Sequence, residues 1–170
     1  MPPARSIQTN VRRATPADAP TIVRFIRGLA EFEREPPSSV KVTEADIVRD
    51  GFGDTPRFEA LVADQQGAPV GFALFFMNYS TWEGTPGLYI EDLFVDEQAR
   101  GTGAGRALMA AAAAIAGERD CARLELSVLG WNPARAFYEQ LGMSHQQSWM
   151  PYRLEAAGIS QLAGEVGEIH

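Results

Sequence analysis

Two stretches of the chain carry side chains and spacings that can do chemistry. The first is Arg100-Gly101-Thr102-Gly103-Ala104-Gly105-Arg106, three glycines at alternate positions between an apolar run and an alanine-rich run. Glycine adopts left-handed backbone readily and puts no Cβ between the chain and a ligand. Several N–H groups then point at one spot, at the positive end of a helix dipole. That is an anion site, with phosphate as the usual anion. A bland flexible turn accounts for the same glycines taken alone. A dinucleotide turn needs glycine at its first, third and sixth positions, and the sixth residue counted from Gly101 is Arg106. A P-loop needs Gly-Lys-Ser/Thr, and no lysine is present here. The second stretch is Glu91-Asp92, adjacent carboxylates within Leu88-Tyr89-Ile90-Glu91-Asp92-Leu93-Phe94-Val95. Neighbours on a strand point to opposite faces, so one acid faces a cleft while the other lies behind it. A carboxylate there attracts an ammonium ion and then routes its proton away.

These groups need a scaffold. Residues 88–95 are rich in β-branched and aromatic side chains, which predicts a strand; the glycine turn follows, then a helix from Ala107 to about Gly117, made nearly all of strong helix formers. Upstream, residues 10–14 predict a short strand. Thr15-Pro16-Ala17-Asp18 has the cap, proline and acid of a helix start, and Ile22, Val23, Phe25, Ile26, Leu29, Ala30 and Phe32 carry helical spacing to about Glu33. Pro36-Pro37-Ser38-Ser39 breaks that helix, and Thr43-Glu44-Ala45-Asp46 starts a short one ending near Gly51. Strands over 58–63 and 69–79 form a hairpin through Gln65-Gln66-Gly67, and a loop over 80–87 carries Trp82. Downstream come a strand over 123–128, a helix from Pro133 to Leu141 ended by Gly142, and two short strands over 144–149 and 152–155. The expected fold class is α+β with a mixed sheet. It forms a single domain over 1–170, with a ragged leader over 1–8 and a C-terminal tail over 156–170 that frays or docks on a partner.

Composition narrows the function classes. The chain has 170 residues, 45% of them hydrophobic, enough for one good core. Fifteen basic against 22 acidic residues give a net charge of −7. That argues against nucleic-acid binding, which needs a basic face, and is compatible with a cationic substrate. One cysteine, Cys121, excludes an internal disulfide framework and reads as a buried thiol beside an apolar strand. No apolar run reaches membrane-spanning length and the N-terminus has no apolar signal core, so a soluble cytoplasmic protein is expected, with no membrane partner. The only histidines are His145 and His170; no metal site and no histidine-dependent triad is expected.

Gln98-x-x-Gly101-x-Gly103, followed by Ala104 and Gly105, resembles the pyrophosphate loop of the GNAT superfamily of N-acetyltransferases, which bind acetyl-CoA. The segment Trp131-Asn132-Pro133-Ala134-Arg135-Ala136-Phe137-Tyr138 is similar to that superfamily's late helix, with its asparagine near the start and its tyrosine about two turns on. A closer resemblance is to the diamine acetyltransferase branch and its thialysine N-epsilon-acetyltransferase relatives. It rests on Leu29-Ala30-Glu31-Phe32-Glu33, Asp50-Gly51-Phe52-Gly53-Asp54, Gly71-Phe72-Ala73-Leu74-Phe75-Phe76, Tyr79-Ser80-Thr81-Trp82-Glu83-Gly84 and the strand around Glu91. It spans roughly Val11 to Ala163 and implies the GNAT fold, with a mostly antiparallel sheet flanked by about four helices.

The resemblance also implies roles. The backbone of Gly101, Thr102, Gly103, Ala104 and Gly105 holds the pyrophosphate, with Arg100 and Arg106 adding charge or standing solvated. Leu93, Phe94 and Val95 splay from the neighbouring strand to bind the pantetheine arm, one N–H facing the thioester carbonyl. Tyr138 protonates the leaving thiolate, Glu91 acts as base through water, and Asp92, Glu33 and Trp82 bind the amine. Asn132 contacts the cofactor, although it lies six residues before Tyr138 where the family spacing is seven, so either Asn132 or Trp131 fills that place. Ser80 stands where polyamine-type members carry an acid, which weakens the case for a long polyamine. The expected activity is transfer of an acetyl group from acetyl-CoA to a small primary amine, by a homodimer. A protein or peptide N-acetyltransferase and a non-catalytic acyl-CoA sensor are the rival readings.

Overall fold

The computed structural model describes residues 8–166; all but Gln8 of the expected leader, and the last four residues of the expected tail, lie outside that range. By their contacts the residues fall into two compact units, 1–135 and 136–170. The first unit holds a five-stranded sheet in sequence order: β1 (Thr9–Arg13), β2 (Glu59–Gln65), β3 (Ala68–Ser80), β4 (Thr85–Val95) and β5 (Arg123–Leu126). Neighbours from β1 to β4 run antiparallel, and β5 runs parallel to β4. The helices are α1 (Ala19–Phe32), α2 (Glu44–Phe52), α3 (Ala104–Glu118), α4 (Ala134–Gln140) and α5 (Ala156–Ala163). That makes five described helices where about four were expected; α4 runs across the boundary between the units, and α5 belongs to the second.

Alternation along the strands sorts the first unit's apolar residues onto two faces. Val62, Phe72 and Phe94 stand opposite one another on β2, β3 and β4. On the α1 and α2 side, Ile22, Val23, Phe25 and Ile47 pack against Ala60, Phe72, Leu74 and Phe94, with Phe25 stacked on Phe72 at 5.6 Å between centroids. A Cβ on Gly28 would stand 2.7 Å from the Phe94 ring; a glycine is therefore what lets α1 lie close over the end of β4. Leu61, Ala73, Leu88 and Ile90 are buried on alternate positions, and α3 contributes buried Leu108, Ala112 and Ile115 while packing across all five strands.

The entry to α1 is tied to the sheet by charge. Thr15 caps a single 3-10 turn, Pro16–Asp18, and the Asp18 carboxylate accepts from the Thr15 N–H and hydroxyl. The Arg12 guanidinium donates twice to Asp18, at 2.8 and 2.9 Å, and once to Asp64, at 2.8 Å. That pairing, above all the Arg12 hydrogen bonds, draws the Asp18 carboxyl down to about 2.

Three expectations need correcting. The two short strands over 144–149 and 152–155 do not form: residues 144–155 are turn and irregular backbone. Local bonds take the polar groups that a ladder would use, with the Gln147 N–H bonded to the His145 carbonyl, the Trp149 N–H to the Gln146 carbonyl and the Gln146 amide to the Ser144 carbonyl. Pro151 between them has no N–H to offer. The strand expected over 123–128 stops at Leu126. Cys121 is half-buried, not enclosed, because it sits in the turn that closes α3, its N–H on the Ala116 carbonyl.

Candidate active site

Strand β4 is held along its whole length on one side and only partly on the other. It pairs with β3 from Thr85 to Val95, but β5 matches only residues 87–90, with Arg123–Leu126 opposite. Beyond Ile90 the β5-facing edge of β4, which includes Leu93, Phe94 and Val95, has no strand partner. Backbone groups on such an edge must find water, a side chain or a ligand.

The β3 side is irregular at the same place. Asp92 stands opposite Leu74 and Ile90 opposite Phe75, which leaves Glu91 as an extra residue with no partner, a β-bulge. Tyr89 opposes Phe76 and Asp92 opposes Leu74, two residues apart on β3. Tyr89 and Asp92 therefore share a face although they are three apart on β4. Glu91, the bulged residue, is exposed, and Asp92 beside it is half-buried.

Asp92 shares its face with Leu74 and Phe94, the face α1 covers. Burial pushes its carboxyl up to about 6, and the charges of Glu91 and Glu33 push in the same direction. Glu33, the residue that ends α1, is raised by burial and then by Glu35. Asp92 thus lies in the field of two further carboxylates, Glu91 on β4 and Glu33 at the end of α1. None makes an ion pair among the described residues. Unpaired negative charge in partly desolvated surroundings is a receptor for an ammonium ion.

The end of α1 that carries Glu33 is fixed from several directions. The Arg34 N–H bonds to the Glu31 carbonyl and the Glu35 N–H to the Ala30 carbonyl, with Arg34 at a φ of 64°, a left-handed helix stop. The Phe32 ring lies 6.4 Å from Trp131 and takes the Arg100 guanidinium at 4.5 Å, while Arg34 stacks on Trp131 at 4.3 Å. Arg100 also donates from Nε to the Val95 carbonyl at 3.1 Å. Arg100 thus leans on β4 through Nε and on α1 through the face of its guanidinium, while Arg106 is exposed; neither has an ion pair among the described residues.

Helix α3 starts at Ala104 rather than Ala107, so Gly105 lies inside its first turn. Gly101 and Gly103 take φ values of 76° and 95°, the left-handed region that favours glycine. A Cβ at either would meet nothing within 4 Å; the requirement is one of backbone conformation, and the space beside the turn is open. Gly103 caps α3 without a side-chain bond, and the first helical bond runs from the Ala107 N–H to the Gly103 carbonyl. The N–H groups of Ala104, Gly105 and Arg106 have no partner among the described residues, which is the state of an anion-binding helix start.

The Acetyltransferase (GNAT) family model matches residues 25–143. The chain belongs to the GNAT acetyltransferase family. It is 36% identical over 167 residues to a thialysine N-epsilon-acetyltransferase of Bos taurus, covering 91% of this chain and 97% of that one. It is 33% identical over 166 residues to spermidine/spermine N(1)-acetyltransferase-like protein 1 of Homo sapiens, covering 91% of this chain and 24% of that one. The structure of an integron cassette protein from V. cholerae superposes with a TM-score of 0.76 at 25% identity, over 94% of this chain and 99% of that one. The fold is the GNAT fold, and the chain is an acetyl-transferring enzyme.

The remaining expected residues of this acetyltransferase are placed as follows. Asn132 is buried, and its Oδ1 accepts the Ala134 N–H at 2.8 Å, opening α4; Trp131 is spent on Phe32 and Arg34. Trp82 is exposed at the tip of the β3–β4 hairpin, in a turn held by the Ser80 hydroxyl, which accepts the Glu83 N–H. Measured along β4, the tip is roughly 20 Å from Glu91, at about 3.4 Å per residue. Tyr138 lies on α4 in the second unit, its ring 5.3 Å from that of Phe137. Two features escaped the sequence reading. The bulge at Glu91 leaves no compositional mark, and Gln65, which appears there only as a turn residue, bonds to the glycine turn through Thr102.

Proposed function

We propose that this acetyltransferase moves an acetyl group from acetyl-CoA to the primary amine of a small molecule, a short diamine or a lysine-like amino acid such as thialysine, by direct attack in a ternary complex. The observation that carries the reading is the unpaired trio Glu33, Glu91 and Asp92 beside the open edge of β4. The residues present fit the cofactor. Free N–H groups at the start of α3 suit a pyrophosphate, and an unpaired strand edge suits an extended amide-bearing arm.

Acetyl-CoA supplies the thioester carbonyl that the amine attacks. The backbone of Gly101, Thr102, Gly103, Ala104 and Gly105 holds the diphosphate, with Arg106 adding charge. Leu93, Phe94 and Val95 offer the arm backbone hydrogen bonds, and a free N–H of this stretch steadies the carbonyl oxygen as charge builds on it. Asp92 and Glu33 draw in the ammonium. Glu91 accepts a proton from it through water, which frees the nitrogen lone pair. As the C–N bond forms, the nitrogen gives up its second proton through water to solvent, and as the C–S bond breaks, Tyr138 gives its proton to the departing sulfur and regains one from solvent. Asn132 shapes the start of α4 next to the cofactor, and Trp82, roughly 20 Å along β4 from Glu91, lies beyond the reach of so short an acceptor. No cysteine or serine nucleophile enters. The enzyme works as a cytoplasmic homodimer, which light scattering on the purified chain tests.

Acetyl-CoA consumption measured over a panel of diamines, lysine-like amino acids and peptides tests the reading. Turnover with the small amines and intersecting double-reciprocal plots support it. Turnover with peptides alone, CoA binding without turnover, or parallel plots with a trapped acetyl-enzyme overturn it.

A further inference from the structure

We propose that Gln65 is a positioning residue for the cofactor: through the Thr102 hydroxyl it locks the glycine turn into the shape that receives the pyrophosphate. The inference rests on the pyrophosphate reading above. Gln65 ends β2, opposite Thr9 on β1, and is 7% exposed. Its Nε2 donates to the Thr9 hydroxyl at 2.9 Å and to the Thr102 hydroxyl at 2.7 Å. The Thr102 hydroxyl donates in turn to the Ala99 carbonyl at 2.6 Å. A carbonyl only accepts, so the one hydroxyl proton of Thr102 is spent on Ala99, and the group that Gln65 turns toward it must be the NH2. The amide thus uses both of its N–H donors on two separated segments.

Placement makes this bond matter. Thr102 is the residue between Gly101 and Gly103, both in left-handed backbone, where the chain has the most freedom to lose on binding. Without a tether, the turn must be ordered by the ligand itself, and that ordering weakens affinity. The Gln65–Thr102–Ala99 relay does the ordering in advance, from the sheet. It also means that Thr102 has no hydroxyl proton left for a phosphate oxygen; its contribution is its backbone and its anchor.

The test measures binding to the full-length chain by calorimetry with CoA, and acetyl transfer with acetyl-CoA and with S-acetylpantetheine, which lacks the diphosphate. Gln65→Leu should raise the CoA Kd and the acetyl-CoA KM about tenfold, the factor expected for one or two lost neutral hydrogen bonds. The amine KM, the kcat and the use of S-acetylpantetheine should change less than about twofold. Thr102→Val should match Gln65→Leu, the double variant should add little to either, and Thr102→Ser should recover most of the loss. A Gln65→Leu protein that melts earlier yet keeps its preference for acetyl-CoA over S-acetylpantetheine overturns the proposal. So does a Thr102→Ser protein as impaired as Thr102→Val, a comparison that stands even where Gln65→Leu fails to fold. If the unaltered enzyme shows no such preference, the pyrophosphate reading itself falls, and the positioning role with it.

Discussion

Asp92 gives the sharpest test of the acid cluster, because the structure fixes both the sign and the size of the effect. Its carboxyl is raised from 3.8 to about 6, first by burial and then by Glu91 and Glu33. At about 1.4 kcal/mol per pKa unit, a shift of that size corresponds to roughly 3 kcal/mol. The folded state binds this proton more tightly than the unfolded state does. The stability linked to the group is therefore complete below pH 3.8 and lost as the pH rises through about 6. Asp92→Asn keeps the shape and removes the charge. It should stabilise the enzyme by up to about 3 kcal/mol near neutral pH and by close to nothing in acid, where Asp92 is protonated in both states. Urea unfolding of both proteins at the two pH values measures this. The same change should raise the amine KM about tenfold or more, since an ammonium loses its counter-charge. Saturating amine should raise the melting point of the unaltered enzyme more than that of the variant. A stability difference that is equal at both pH values, or a variant less stable at neutral pH with an unchanged amine KM, would refute a charge held at a cost for the substrate.

Other perturbations isolate the remaining roles. Tyr138→Phe should lower kcat roughly a hundredfold, with the acetyl-CoA KM little changed, in steady-state assays. Glu91→Gln should lower kcat in the same assays; an unchanged kcat takes Glu91 out of proton transfer. Gly103→Ala forces a side chain onto a φ of 95° and should cost about 1 kcal/mol or more in unfolding free energy, while weakening CoA binding by calorimetry.

The order of strands and helices was legible in the sequence because each element announces itself locally. Thr15, Pro16 and Asp18 mark a helix start, Gln65-Gln66-Gly67 a tight hairpin, and the alternating apolar residues of β3 a strand with two faces. What could not be read were features defined only by pairing. The sequence around Glu91 looks like an ordinary strand, and the bulge exists only in the register against β3. The end of β5 at Leu126 depends on which residues of β4 it meets, and the two strands expected over 144–155 had a pattern but no ladder. Arg100 stands beside the glycines in the sequence, but its contacts with the Val95 carbonyl and the Phe32 ring exist only in the fold.

Asp18 and Asp92 show why the defects in the sheet are where the chemistry belongs. Both are aspartates in the same unit, and both are drawn away from solvent. Asp18 meets a guanidinium on both oxygens and accepts two further bonds from Thr15, so its carboxyl is held at about 2 and is already satisfied. Asp92 meets only other acids and is driven to about 6. A regular ladder through Glu91 would take Asp92 off the face it shares with Tyr89, and a β5 running on past Leu126 would cover the edge that the proposed mechanism gives to the cofactor's arm. The bulge and the shortened β5 leave backbone groups and charge unmet at one end of β4, and the unfilled N–H groups of α3 lie just beyond it along the chain. In the proposed mechanism an ammonium ion and an acyl thioester with a phosphate tail meet all three deficits together. Repairing either defect by design should therefore raise stability while abolishing acetyl transfer.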